Sequence, residues 1–479
     1  MSELKNKAIK GVLWSAIDKG GVKLVSFIVS VVIARILTPA DYGVIGMIMV
    51  FIVIANLLID SGFSQALVQR KDRTDVDMST AFYFNLLIAI TCYILLFALA
   101  PCIAEFYEMP ILVPVLRVIG INIIIISLAT VQRAKLLIDL NFKVIAIVNI
   151  SAVIVSGVMG IYMAYNGYGV WALVLQQVSS YLTMTIVYWL LGRWRPMLVF
   201  SKESLVSLWN FGSKLLAAGL VATTLREVYT VTIGKFYRPT ELGYYTRAVQ
   251  TSDMVSITAN ELINAVTFPI LSSLQDDRDR MVSVYSRMLG MTAFCIMPIM
   301  TLLAVVAQPF ISVLLTDKWL PVVPLLQWLC MARMFTPISS LNMNILNAIG
   351  RSDLFLKIDL AKLPLTILTM IITIPLGVKA IVIGNLIWTA LCYFINAYLP
   401  GRLFGFGVKA QFRIFYKIVI ATAIMAMVTT ITMTLISTSI AKLLIGCVTA
   451  ILIYLLASFV LKINEFQEIK SIIISKFRK

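Results

Sequence analysis

Fourteen stretches of about 20 or more mostly apolar residues follow one another along this chain, joined by connections of no more than about 16 residues. A bilayer core about 30 Å thick takes about 20 helical residues per crossing. In hydrocarbon every backbone N–H and C=O must be satisfied within the structure, and stretches of this length and spacing do so as helices. The stretches fall near 11–37, 42–66, 79–104, 111–132, 144–165, 169–191, 206–234, 246–271, 282–309, 322–348, 355–376, 378–399, 414–437 and 440–461. The fold class expected is therefore all-α, a polytopic membrane protein of about fourteen transmembrane helices. Composition agrees: 60% of residues are hydrophobic and 13% charged, against about 45–50% and 25% in soluble domains. The weakest stretches are 246–271, with Arg247, Asp253 and Glu261, and 322–348, rich in Asn, Ser and Pro.

The net charge of +17 would suggest nucleic acid in a soluble protein. Here most basic residues lie in short connections, so no nucleic-acid partner is expected. With the N-terminus placed in the cytoplasm, 26 connecting Lys and Arg fall on the inside and 7 on the outside. This bias predicts both termini cytoplasmic and an even number of helices. The opening MSELKNKAIK runs into a span longer than a leader's apolar region, so no cleaved leader is expected. The six cysteines are scattered through apolar segments, unlike a disulfide framework or a zinc site. There is no histidine, which removes imidazole from any metal site, proton relay or catalytic triad.

The chain repeats itself. ILTPADYG ends the first helix and FYRPTELG ends the seventh, matching Pro39 with Pro239, Asp41 with Glu241 and Gly43 with Gly243 at a constant offset of 200. Six helices separate the copies. An even number leaves both halves in the same orientation, related by an axis along the membrane normal. The organisation predicted is an N-terminal six-helix lobe over 1–200, a C-terminal six-helix lobe over 201–402, and helices 13–14 with a basic tail over 403–479. Parallel repeats of this kind enclose a cleft, and rocking exposes it to each side in turn.

Seven basic residues lie inside the spans and set in from their ends: Lys19, Lys23, Arg117, Lys214, Arg226, Arg333 and Lys362. Each costs roughly 2.5–3.5 kcal/mol at the bilayer centre on insertion scales, so such charges face a protein interior or a wet cavity. Lys19 and Lys23 are four apart, on one helix face. Like charges there are answered by solvent or by a bound anion. An excess of intramembrane cations points to an anionic cargo, phosphate or diphosphate above all. The candidate cationic cavity is Lys19, Lys23, Arg226, Arg117 and Arg333. Asp18, Glu227 and Glu261 are candidates for ion coupling or charge pairing. Lys214, near a helix end, is expected to snorkel to the surface. Pro298, Pro337 and Pro364 mark candidate bends.

No phosphate-binding glycine loop, nucleophile elbow or metal cluster occurs, and no connection is long enough for an extramembrane catalytic domain. A carrier is expected rather than an enzyme, with no cofactor. A coupling H+ or Na+ gradient, or the cargo's own gradient, remains as the energy source.

The blocks GVLWSAIDK, ILTPADYGVIGM and DSGFSQALVQRKD resemble the opening of bacterial polysaccharide transporters, of the multidrug, oligosaccharidyl-lipid and polysaccharide exporter superfamily. NGYGVWALVLQQ at 166–177, LWNFGSKLL at 208–216 and RPTELGYYTRA at 238–248 resemble its later blocks. The match covers most of the first 275 residues. The resemblance implies a flippase that carries an undecaprenyl-diphosphate-linked oligosaccharide from the inner to the outer leaflet of the bacterial inner membrane, for capsule, O-antigen or another exopolysaccharide. It implies membrane lipids and a polysaccharide polymerase as partners. It also places the first and seventh helices, with Lys19, Lys23 and Arg226, around the cavity. Relatives often carry a small acidic residue near the position of Arg226-Glu227, and this chain departs from that pattern.

Two other functions fit the same architecture. A multidrug or cation antiporter would need an acidic cavity, which the basic intramembrane balance disfavours. A lipid II flippase also carries a diphosphate, and only the motif blocks favour the polysaccharide branch.

Overall fold

A computed structural model describes the main chain over 2–60, 62–70, 72–349 and 351–477. Its helices are α1 (Ser2–Ile36), α2 (Pro39–Asp60), α3 (Phe63–Gln69), α4 (Asp75–Phe106), α5 (Leu112–Ile138), α6 (Phe142–Tyr165), α7 (Val170–Leu191), α8 (Lys202–Phe236) and α9 (Pro239–Ser272). They continue as α10 (Arg278–Val305), α11 (Ala307–Leu315), α12 (Val322–Arg333), α13 (Phe335–Ala348), α14 (Ser352–Thr373), α15 (Val378–Phe404), α16 (Val408–Thr434), α17 (Ser439–Val460) and α18 (Asn464–Phe477). No strand occurs among the described residues.

Twelve helices of the described residues are long and apolar enough to cross a membrane, and the chain is a multi-pass membrane protein. Fourteen were expected. The two absent from the twelve are α1 and α8, each 35 residues long. Their length suffices for a crossing, and each includes residues outside those described. The two stretches that read weakest, within α9 and across α12–α13, are both among the twelve.

The repeat holds at the level of whole elements. The helices α1 and α8 have equal length, and α2 and α9 both begin at the repeated proline. Proline suits the first helical position because its missing N–H would be unpaired there anyway. Before Pro39, Thr38 and Asp41 close a reciprocal cap: Thr38 N donates to Asp41 Oδ2 at 2.9 Å, and Thr38 Oγ1 donates to it at 2.7 Å.

The chain divides into two compact units, 1–243 and 244–479. The first takes in α8 and the opening turn of α9 together with the first seven helices. Within it α1 runs alongside α6 in the same direction. A Cβ on Gly157 would come within 2.6 Å of Val29, and one on Gly160 within 2.8 Å of Ile33, so these two glycines let the helices approach. At one end of the unit, Phe63, Phe82, Trp194 and Leu208 form a core that joins α3, α4 and the segment after α7 to the start of α8. Arg195 closes α7 there, donating to the carbonyls of Trp189 and Gly192 at 2.6 and 2.7 Å.

In the second unit α10, α12, α13, α15, α16 and α17 pack on one another. The stretch 322–348 is broken at Met334 into α12 and α13. Pro337 accounts for the break. It has no N–H to offer the carbonyl of Arg333 four residues earlier, and Ser256 Oγ on α9 takes that carbonyl instead, at 2.9 Å. Pro298 and Pro364 are carried inside continuous helices. A buried polar knot ties α10, α13, α15 and α16. Gln411 Nε2 donates to Asn342 Oδ1 at 2.8 Å, Tyr393 OH donates to Gln411 Oε1 at 2.9 Å, and Tyr285 OH donates to Asn342 Oδ1.

Candidate substrate-binding site

The cations singled out in the sequence occupy different settings. Lys19 and Lys214 lie outside the described side chains. Lys23 is exposed on α1. Arg226 is 61% exposed on α8, and its Nε donates to Glu227 Oε1 at 3.1 Å. Glu227 is 18% exposed and also accepts from Thr230 Oγ1 at 3.4 Å. This is a lateral pairing of sequence neighbours, which leaves most of the guanidinium surface open.

Arg117 and Arg333 are engaged by the protein. Arg117 lies over the Phe97 ring at 4.1 Å, joining α5 to α4. Arg333, in the second unit, forms a bridge from its Nε to Asp253 Oδ1 at 2.5 Å, with both side chains about four-fifths buried. Asp253 and Ser256 stand one turn apart on α9 and hold the side chain and the carbonyl of the same arginine. Lys362 is likewise answered, by Asp359 at 2.7 Å.

Of the three carboxylates, Asp18 accepts from Asn149 Nδ2 at 3.0 and 3.2 Å, across the α1–α6 contact. Glu227 pairs with Arg226. Glu261 is exposed on α9 and forms no ion pair among the described residues.

Among the described residues, Lys23, Arg117, Arg226 and Arg333 do not line either of the two cavities that follow. The sequence did not anticipate a cavity of about 360 Å³ in the first unit, between α2, α3, α5 and α7. Asn56, Asp60, Ser64, Gln65, Arg133 and Tyr188 supply its polar wall. Asp60 Oδ1 is taken by Ser64, whose Oγ donates at 2.5 Å. Among the described residues no hydrogen bond or ion pair to Arg133 occurs, and Asn56 Oδ1 and the Tyr188 hydroxyl have no hydrogen-bond partner. Arg133 falls one residue beyond the stretch 111–132 and so belongs to a connection by sequence, whereas α5 runs on to Ile138. Its place one turn and a half before the end of α5 was the only available signal.

The second unit holds a cavity of about 700 Å³ lined by Gln308, Gln327, Trp328, Lys379 and Lys442. In the first unit, Lys235 at the end of α8 donates to the Phe106 carbonyl at 2.6 Å and meets Glu108 at 3.3 Å.

The helices α1 and α8 carry Lys23 and Arg226, and the remaining spans include charges that the protein itself answers, as at Arg333–Asp253 and Lys362–Asp359. The chain belongs to the family described as "Polysaccharide biosynthesis protein", whose model matches residues 32–324, and with it to the multidrug, oligosaccharidyl-lipid and polysaccharide exporter superfamily. It is 25% identical over 432 residues to the teichuronic acid biosynthesis protein TuaB of Bacillus subtilis, covering 89% of each chain. It is 25% identical over 403 residues to the lipopolysaccharide biosynthesis protein WzxC of Escherichia coli, covering 82% of this chain and 81% of that one. Among solved structures it resembles lipid II flippase MurJ in an inward closed conformation, with a TM-score of 0.74, 16% identity, and coverage of 94% of this chain and 98% of that one. The likeness to MurJ is one of fold.

Proposed function

We propose that the chain is a flippase that moves an undecaprenyl-diphosphate-linked oligosaccharide from the cytoplasmic to the outer leaflet of the inner membrane by alternating access, for surface polysaccharide. The observation that carries this is Arg226: a guanidinium 61% exposed on a long helix. Such a charge needs water or an anion beside it, and a diphosphate offers acceptors that match the guanidinium fork. Lys23, exposed on the repeat-related helix, supports the same cargo, and Lys19 belongs with it by spacing. The family and the fold shared with a lipid II flippase agree with a lipid-linked cargo.

Arg117 and Arg333 take a secondary place in this proposal, since Phe97 and Asp253 already occupy them. Asp18 is the carboxylate we assign to coupling, because an amide rather than a cation holds it. Both termini are placed in the cytoplasm, and a polymerase acts on the delivered repeat unit.

The test is complementation. The gene is deleted in its host, surface polysaccharide is scored, and wild type or Lys19→Ala with Lys23→Ala and Arg226→Ala is returned. Loss of polymer with lipid-linked repeat units accumulating inside, rescued by wild type and not by the triple variant, is the expected result. Full rescue by the triple variant would remove the cationic site. Normal polymer in the deletion strain with altered drug tolerance would point to the antiporter.

A further inference from the structure

We infer that the cavity of the second unit, between α11 and the neighbouring ends of α10, α12, α15, α16 and α17, binds the phosphate head of a lipid in the outer leaflet. The outer placement rests on the orientation proposed above. The site uses none of the cations of α1 and α8.

Among the described residues, the wall carries two charges, Lys379 and Lys442, and no carboxylate. Neither ammonium group has a hydrogen bond or ion pair among those residues. Each offers three donors and no acceptor. Other donors in the wall are already engaged: Thr430 Oγ1 donates to the Ala426 carbonyl at 2.8 Å, Thr434 Oγ1 to that of Ile431 at 2.7 Å, and Gln327 Nε2 to that of Ala304 at 3.2 Å. The lysines are also badly placed unless an anion joins them. They are the second residue of α15 and the fourth of α17, where the positive end of the helix dipole opposes a cation. They lie on the side of the membrane where basic residues are scarce, and two of the seven that the loop charges assign to that side meet in this cavity. A phosphate answers both, since lysine serves it as a point charge. A neutral ligand answers neither.

The rest of the wall identifies the phosphate as part of a lipid. Val305, Pro309, Pro324, Trp328, Met331 and Met433 make it apolar. From Pro324 to Met331 the cavity follows α12 inward for two turns, about 10 Å at 1.5 Å per residue. A free phosphate would meet the lysines and leave this surface bare, whereas a lipid sets its head at the lysines and its first methylenes along α12. Trp328 is 37% exposed and is of the residue type that gathers at headgroup level. The volume of about 700 Å³ exceeds what a phosphate alone needs and falls within the range of small-molecule pockets, about 300–1,000 Å³.

Gln308 lines the cavity and is exposed, so a cysteine there reports occupancy. Full-length Gln308→Cys is placed in phosphatidylcholine nanodiscs, alone or with one of three probes: phosphatidylglycerol, undecaprenyl diphosphate or inorganic phosphate. Labelling by N-ethylmaleimide, which is uncharged, is followed by peptide mass spectrometry. The native Cys102, exposed on α4, is the control in the same sample. Phosphatidylglycerol or undecaprenyl diphosphate is expected to slow labelling at Gln308→Cys at least fivefold with Cys102 unchanged, and whichever does so is the source of the head. Adding Lys379→Gln and Lys442→Gln together should return the rate to within twofold of the phosphatidylcholine value, and each change alone should recover part of it. No slowing by either lipid, or slowing that survives the double change, would overturn the site. Equal slowing by inorganic phosphate would overturn the lipid in favour of a free anion. In intact spheroplasts a membrane-impermeant maleimide should reach Gln308→Cys, and labelling only after lysis would overturn the outer placement. None of these readouts requires transport, so a failed complementation leaves them standing.

Discussion

Gly43 lies against the main chain of Pro239, so close that a Cβ on it would overlap the Pro239 carbonyl oxygen. The relation is reciprocal, with Gly243 against the carbonyl of Pro39. The two copies of the repeated motif therefore meet each other, each supplying a proline carbonyl to the other's glycine. Two first turns can approach this closely only where no side chain intervenes.

Gly43→Ala or Gly243→Ala should each lower stability by about 1–3 kcal/mol or more, the range for overpacking a filled site. Gly20→Ala is the control: nothing lies within 4 Å of a Cβ there. It should be neutral or stabilising by roughly 0.5–1 kcal/mol. Thermal unfolding of the purified variants would measure both. Equal midpoints for Gly43→Ala and Gly20→Ala would remove the contact.

The helix break at Met334 depends on Ser256 replacing the hydrogen bond that Pro337 cannot make. Ser256→Ala should cost about 0.5–1.5 kcal/mol by leaving the Arg333 carbonyl unpaired. Pro337→Ala restores an N–H one turn after that carbonyl. The double variant should regain what the serine change lost, and a strictly additive pair would contradict the account. Asp253→Asn should cost about 1–3 kcal/mol, the penalty for a half-paired, largely buried charge.

Gln411 is the centre of the polar knot. Gln411→Leu strips the acceptor from Tyr393 and a donor from Asn342, with an expected loss of about 1–3 kcal/mol for each orphaned group.

Glu227 holds Arg226 laterally. If the guanidinium meets an anionic cargo, Glu227→Gln removes a competing acceptor and should retain or raise lipid-linked oligosaccharide binding. Arg226→Gln should lower it by tenfold or more, the scale of one charge-assisted contact of about 1.5–3 kcal/mol. Binding counted by native mass spectrometry, with both proteins at wild-type abundance in the membrane, would decide. A loss with Glu227→Gln equal to that with Arg226→Gln would make the pair structural.

Much of the helical pattern was legible because it is local. Proline at a first turn, the Thr38–Asp41 cap and the glycine that follows are written within six residues, and the proline, an acidic residue and the glycine recur 200 positions later, visible without any coordinates. The polarity of α1 and α8 was legible for the same reason. The settings of the charges were not, because their partners are distant in sequence. Asp253 answers Arg333 from 80 positions away. Hydropathy has no means of telling a neutralised arginine from a free one. Asn56, Arg133 and Tyr188 share one cavity only because α2, α5 and α7 converge, and a loop-charge count absorbs the middle residue into topology.

The contact between Asp18 and Asn149 also has a timetable. The two residues are 131 positions apart, so a ribosome adding about 5–20 residues per second delivers the amide roughly ten seconds after the carboxylate. During that interval α1 is a polar segment without its partner, in a membrane that accepts such segments poorly. It must wait in a sheltered, hydrated place until α6 arrives. The helix that opens the chain is thus among the last of its half to settle, and any change that delays α6 should expose α1 to quality-control proteolysis.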